Sequence, residues 1–313
     1  MASHPNVIVP ILRAGTLAQE FCRSVSRASV EAVFERCFYL RRGDQFICVG
    51  EPDIGNGPLT LIGKLGRLSD LSLRPGRLAT VCERQITLGN SLRFKLDRAE
   101  TWRSPPRPIC LPAARLIETC NALASRAALE APQEGLARHV SGRPEAPSHQ
   151  TPLARVAGPR IAIFERWLSE ALDTGATPSI SDREAVQGLI GLGPGLTPSG
   201  DDLLAGALAL LDAIGERGAH TALACAIADA LPERTTSLSA CFLRAAAAGH
   251  VGEALHRAVS SAITGDAGAA VAAIEKIGHS SGWDMMAGIM TTLRIAAAAR
   301  RETPPTAHAF AFS

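Results

Sequence analysis

The chain has 313 residues, enough for two cores of ordinary domain size, and its composition of 46% apolar, 20% charged and 4% aromatic residues excludes a largely disordered protein. Thirty-two Lys and Arg against thirty Asp and Glu leave a net charge of +2, too weak a field to recruit nucleic acid or an anionic membrane surface, so a small-molecule role is favoured. Eight scattered cysteines, no signal-peptide plan at the N-terminus and no apolar run longer than Leu203 to Leu211 point to a cytoplasmic protein with free thiols and neither a disulfide framework nor a zinc site.

In chain order, Val33 to Leu40, Gln45 to Val49 and Leu59 to Ile62 read as strands separated by turn residues. Gly89-Asn90 between Gln85–Leu88 and Leu92–Leu96 is a hairpin signal, and a barrel or sandwich would close such strands. Leu111 to Leu129 turns helical, with Leu116, Ile117, Cys120, Leu123 and Ala124 at helical spacing. Five prolines between Glu130 and Pro159 mark a linker. Helices are then expected over Ile161–Leu172, after a Ser181/Glu184 capping box, and over Asp201–Ile214, Thr221–Ala230, Thr235–Ala248, Gly252–Ile263, Ala267–Ile277 and Trp283–Ala299. The expected fold is α+β: a sheet-rich, barrel- or sandwich-like N-terminal domain (1–129), a Pro-rich linker (130–159), a helical domain (160–300) and a tail (301–313).

The stretch Gly191-Leu192-Gly193-Pro194-Gly195-Leu196-Thr197-Pro198-Ser199-Gly200-Asp201-Asp202 precedes the apolar helix from Leu203. Glycines admit close approach of backbone N–H groups to a ligand, prolines stiffen the path, and a helix start adds unpaired donors, so the segment suits an anion. A plainer reading is a Ser199/Asp202 capping box with glycines that merely turn the chain. Neither the phosphate-loop lysine nor the dinucleotide glycine pattern is present. Ser281-Gly282-Trp283-Asp284-Met285-Met286-Ala287-Gly288 repeats the order of Ser199-Gly200-Asp201-Asp202-Leu203-Leu204-Ala205-Gly206, so two helix starts facing one pocket are expected. Asp202 and Asp284 have three open roles: helix caps, ligands of a Mg²⁺ that bridges to phosphate, or acceptors for a substrate NH₂ group. Adjacent Asp201 and Asp202 diverge by about 100° on a helix and cannot serve one spot. His279 with Ser280 or Ser281 offers a base and a nucleophile, although chain neighbours rarely form a triad. Thr235, Thr236, Ser237 and Ser239 read as caps, and Asp53 to Pro58 as a turn.

These signatures, Gly191 to Asp202 with Gly278 to Asp284 downstream and a Gly57-Pro58 turn in the sheet-rich half, resemble those of the AllH family, also called YlbF. The resemblance implies a subunit of oxamate carbamoyltransferase, which interconverts oxalurate and phosphate with oxamate and carbamoyl phosphate in allantoin breakdown, and hence companion carbamoyltransferase subunits. It implies that Gly193, Gly195, Thr197, Ser199, Gly200, Asp201 and Asp202 line a site, with His279, Ser280, Ser281 and Asp284 nearby, and that the ligand is a small anionic amide or carbamoyl phosphate. The Ser-Thr-Arg-Thr helix start of other carbamoyltransferases is absent. A non-catalytic scaffold subunit and a stand-alone hydrolase using Ser281 with His279 are the alternatives.

Overall fold

The computed structural model describes residues 7–106, 112–141, 150–174, 180–231, 233–278 and 280–302. Among these, the N-terminal half is an eight-stranded closed barrel and the C-terminal half is helical, as expected for α+β.

The barrel uses β1 (Val7–Gly15), β2 (Ser26–Val33), β3 (Cys37–Arg42), β4 (Gln45–Gly50), β5 (Thr60–Gly63), β6 (Leu78–Cys82), β7 (Gln85–Leu88) and β8 (Leu92–Lys95). They pair in the order β5-β4-β3-β2-β6-β7-β8-β1, and β1 returns to β5 to close the ring; β9 (Glu100–Trp102) adds to the end of β1. β1–β8 and β4–β5 are parallel, and the remaining ring contacts are antiparallel. Alternate residues point inward, so Val9, Ile11, Val30, Phe38, Leu40, Ile47, Val49, Val81, Ile86 and Phe94 form one core. Gly89, at φ +61°, makes the β7–β8 turn.

Three barrel strands were not read from the sequence: β1, which carries Pro10; β2, although Arg27, Ser29 and Glu31 alternate with Ala28, Val30 and Ala32 as in a half-buried strand; and the short β6. The segment Val33 to Leu40 spans the end of β2, a turn and most of β3 rather than one strand.

Helix α1 (Thr16–Cys22) follows β1, and α2 (Ala113–Glu130) follows the barrel. A 3₁₀ turn over Ala137–Ser141 and the start of α3 (Pro152–Thr174) occupy ground expected to be linker, with Pro159 inside the helix, and the rest of α3 contains the helix expected over Ile161–Leu172. Next come α4 (Ile180–Gln187), α5 (Ser199–Ile214), α6 (Arg217–Ala228), α7 (Ser237–Ala247), α8 (Glu253–Thr264), α9 (Ala267–Ile274) and α10 (Ser281–Glu302). The Ser181 side chain of the expected capping box lies outside the described residues. No described helix is long and apolar enough to cross a membrane, and the cysteines among the described residues are free thiols.

The second core gathers around α5 and α10, which are buried on all sides from Ser199 to Leu211 and from Met286 to Leu293. The barrel meets it through outward-facing residues of β3 and β4: the Tyr39 ring packs edge-on against Phe242 of α7 at 6.1 Å. The Asp53–Pro58 turn also docks, as Asn56 donates from its backbone and side chain to Glu253 at the start of α8 and accepts from the Glu253 amide.

Candidate functional site

α5 and α10 run in the same direction and touch without side chains between them. A Cβ on Gly206 would lie 2.0 Å from the Met285 carbonyl, and one on Gly288 would lie 1.9 Å from that of Leu203. Ser281 hydrogen-bonds Asp202 and Ser199 hydrogen-bonds Asp284. The pairings keep the same offset from the serines to the glycines, which holds only for parallel helices. Both N-terminal dipole ends therefore arrive at one place, and two carboxylates sit there to meet them.

Asp202 and Asp284 are buried, at 4% and 1% exposure. Desolvation pushes the Asp202 carboxyl well above its usual range, against the hydrogen bonds of Ser281 and Thr197, and the charge of Asp284 adds to the rise. Burial lifts Asp284 to about 6, held from going higher by the Leu136 N–H and by Ser199. Oδ1 of Asp284 accepts the Leu136 N–H, whereas Oδ2 of Asp202 is out of contact with solvent and has no hydrogen-bond partner among the described residues. Thr197 Oγ1 lies 3.2 Å from Ser281 Oγ, completing a hydroxyl cluster on Asp202.

Asp201 serves a different purpose, in keeping with the angular argument. Its carboxylate accepts from the Gly191 amide at 2.8 Å, from Ser239 Oγ at 2.6 Å and from Thr235 Oγ1, pinning the glycine-rich segment to the start of α7. Thr236 caps α7 by accepting from the Ser239 amide and also holds the Leu196 carbonyl. Gly200 is required by packing, since a Cβ there would lie 2.0 Å from the Leu189 carbonyl, and its amide is spent on Leu192 O. Gly193 (φ +115°) and Gly195 (φ +100°) adopt backbone that side chains disfavour. The amides of Gly193, Gly195 and Leu196 meet no acceptor among the described residues. Ser280 is half-buried and gives its carbonyl to the Asp284 amide, while His279 lies outside the described residues. No group of three or more His, Cys, Asp or Glu able to hold a metal occurs among the described residues.

Gly135 and Leu136 were not foreseen. The Leu136 N–H donates to Asp284 Oδ1, and Gly135 (φ +63°) passes so close that a Cβ would lie 2.4 Å from the same oxygen. A contact made by backbone leaves no side-chain signature; a glycine amid the prolines of a supposed linker was the only trace.

A family model described as oxamate carbamoyltransferase subunit AllH matches residues 189–293, and one described as the AllH family N-terminal domain matches residues 11–101. The chain belongs to the AllH family. The two matched regions coincide with the barrel and with the helices from the end of α4 to α10, so the glycine-rich segment and both buried aspartates fall within the AllH region. No solved structure matches the chain.

Proposed function

We propose that the chain is a cytoplasmic subunit of an oxamate carbamoyltransferase assembly, and that the paired starts of α5 and α10 contribute its site for carbamoyl phosphate or an oxamate-type anion. The family description supports the subunit role and, with it, the need for companion subunits. The observation that carries the site is the buried, partnerless Oδ2 of Asp202 beneath a loop whose amides at Gly193, Gly195 and Leu196 are uncommitted. Buried polar atoms without partners are costly and persist where function needs them.

In the reaction, an oxygen of phosphate bonds to the carbamoyl carbon of oxalurate while the bond from that carbon to the oxamate nitrogen breaks. The proton that phosphate loses ends on that nitrogen. Loop amides would hold the phosphate or the developing oxyanion. Asp202 would orient the nitrogen, and a carboxyl whose proton affinity is raised by burial suits the relay of that proton. Ser281 and Thr197 hold Asp202 in place.

Asp202→Asn in the reconstituted assembly, with and without Mg²⁺, is expected to cut turnover by about 100-fold. Unchanged turnover removes Asp202 from the chemistry. Turnover of oxalurate by the purified chain alone would favour the stand-alone hydrolase and end the subunit reading.

A further inference from the structure

The helical half repeats one unit twice. Leu189 and Ile274 each present a carbonyl to a glycine, Gly200 and Gly282, whose Cβ would lie 2.0 Å from the oxygen in both copies. Leu192 N donates to Leu189 O and Ile277 N to Ile274 O; Gly200 N and Gly282 N then donate to Leu192 O and Ile277 O. The helices follow with Ser, Asp and Gly at matched positions, and the contacts across them exchange in pairs. Gly206 meets Met285 as Gly288 meets Leu203, and Ser281 serves Asp202 as Ser199 serves Asp284. A local two-fold axis running along the helix pair relates the copies.

Two departures break the symmetry, one at the carboxylates and one in the connection that leads to them. Asp284 receives a peptide N–H from Leu136, and no described residue plays that part for Asp202, whose Oδ2 stays unpartnered although the residue is 4% exposed. Second, Leu192 and Gly200 stand eight positions apart, whereas Ile277 and Gly282 stand five apart, so the copy with the vacancy carries the longer connection. The extra length includes Pro194, Gly195 and Leu196, all exposed, and a Cβ on Gly195 would meet nothing within 4 Å.

We infer that the repeat is a duplicated carboxylate socket: the chain's own backbone N–H permanently fills the Asp284 copy, and the Asp202 copy takes an N–H from a ligand, a primary amide or carbamoyl nitrogen. Oδ2 of Asp202 is sealed from solvent, so the ligand reaches it only where a neighbour such as Thr197, which hydrogen-bonds Asp202, gives way. The Leu136 contact shows what the socket accepts, a trigonal nitrogen carrying hydrogen. A fully substituted nitrogen has no hydrogen to offer and cannot make that contact. The choice of ligand rests on the carbamoyl-transfer reading; the socket itself rests on the symmetry.

The test is calorimetric titration of the full chain, alone and with companion subunits, against oxamate, N,N-dimethyloxamate and oxalate, with inorganic phosphate as a separate arm. Oxamate is expected to bind at least about tenfold more tightly than N,N-dimethyloxamate, and Asp202→Leu, which leaves no acceptor at this position, to erase the preference. Equal binding of N,N-dimethyloxamate overturns the inference, as does the absence of any oxamate preference both alone and in the assembly. The ligand series on native protein decides the question even if Asp202→Leu fails to fold. Oxamate preference without phosphate binding would remove the anion-loop reading and leave the socket standing.

Discussion

Replacing Asp284 by Asn should flatten the pH dependence of stability. The Asp284 carboxyl titrates at about 6 in the folded chain against an ordinary value of 3.8, so the folded state holds this proton more tightly than the unfolded one. Its contribution is fully present below about pH 4 and is lost as pH rises through 6. A difference of about two pH units corresponds to about 3 kcal/mol by neutral pH. Asparagine keeps an oxygen for the Leu136 amide and offers an NH₂ to Ser199, so the geometry survives while the ionisation disappears. Urea denaturation of both proteins from pH 4 to 7.5 should show the native chain losing about 3 kcal/mol relative to the variant, or roughly 6 °C in melting temperature at this chain length. Parallel curves across the range would refute the assignment of a buried, raised carboxyl to this position.

Gly288→Ala places a Cβ against the Leu203 carbonyl, and parting α5 from α10 should cost about 2–3 kcal/mol in chemical denaturation despite the better helix propensity of Ala. Asp201→Ala strands three donors, the Gly191 amide, Thr235 and Ser239, and is expected to lower stability by about 3–5 kcal/mol; a loss under about 1 kcal/mol would show that the clamp is dispensable. Asn56→Ala removes the side-chain hydrogen bond to the Glu253 carboxylate where the barrel meets α8 and keeps the one from the backbone N–H, with an expected loss of about 1–2 kcal/mol in thermal unfolding and earlier proteolytic release of the barrel.

Local chemistry was legible in the sequence and long-range closure was not. The helix starts at Ser199 and Ser281 announced themselves because Ser-Gly-X-Asp followed by two apolar residues and a small pair encodes a dipole partner and a close helix crossing within eight residues, although the Ser199/Asp202 capping box does not form, Pro198 holding the N-cap position of α5 with no side-chain cap. Asp201 and Asp202 could be assigned different directions from helix geometry alone, and Asp201 indeed faces Thr235 and Ser239 while Asp202 faces Ser281. The ring closure through β1 could not be read, since parallel pairing to β8 and antiparallel pairing to β5 join residues far apart in sequence. Pro159 misled because a proline inside a helix looks, from composition, like the end of one. The Leu136 contact escaped because a backbone N–H is common to nearly every residue.

The position of β1 between β5 and β8 carries a consequence for how the chain comes into being. Among the described barrel strands, the one synthesised earliest is also the one that seals the ring, and its partners arrive about 50 and about 85 residues later. At synthesis rates of about 5–20 residues per second, Val7 to Gly15 waits roughly 4 to 17 seconds before its second edge can be satisfied. During that interval Val7, Ile8, Val9, Ile11 and Leu12 form an unpaired apolar strand open to misassociation. Pro10, which donates no backbone hydrogen bond, interrupts that edge at its centre and tempers the hazard that the barrel's own topology creates.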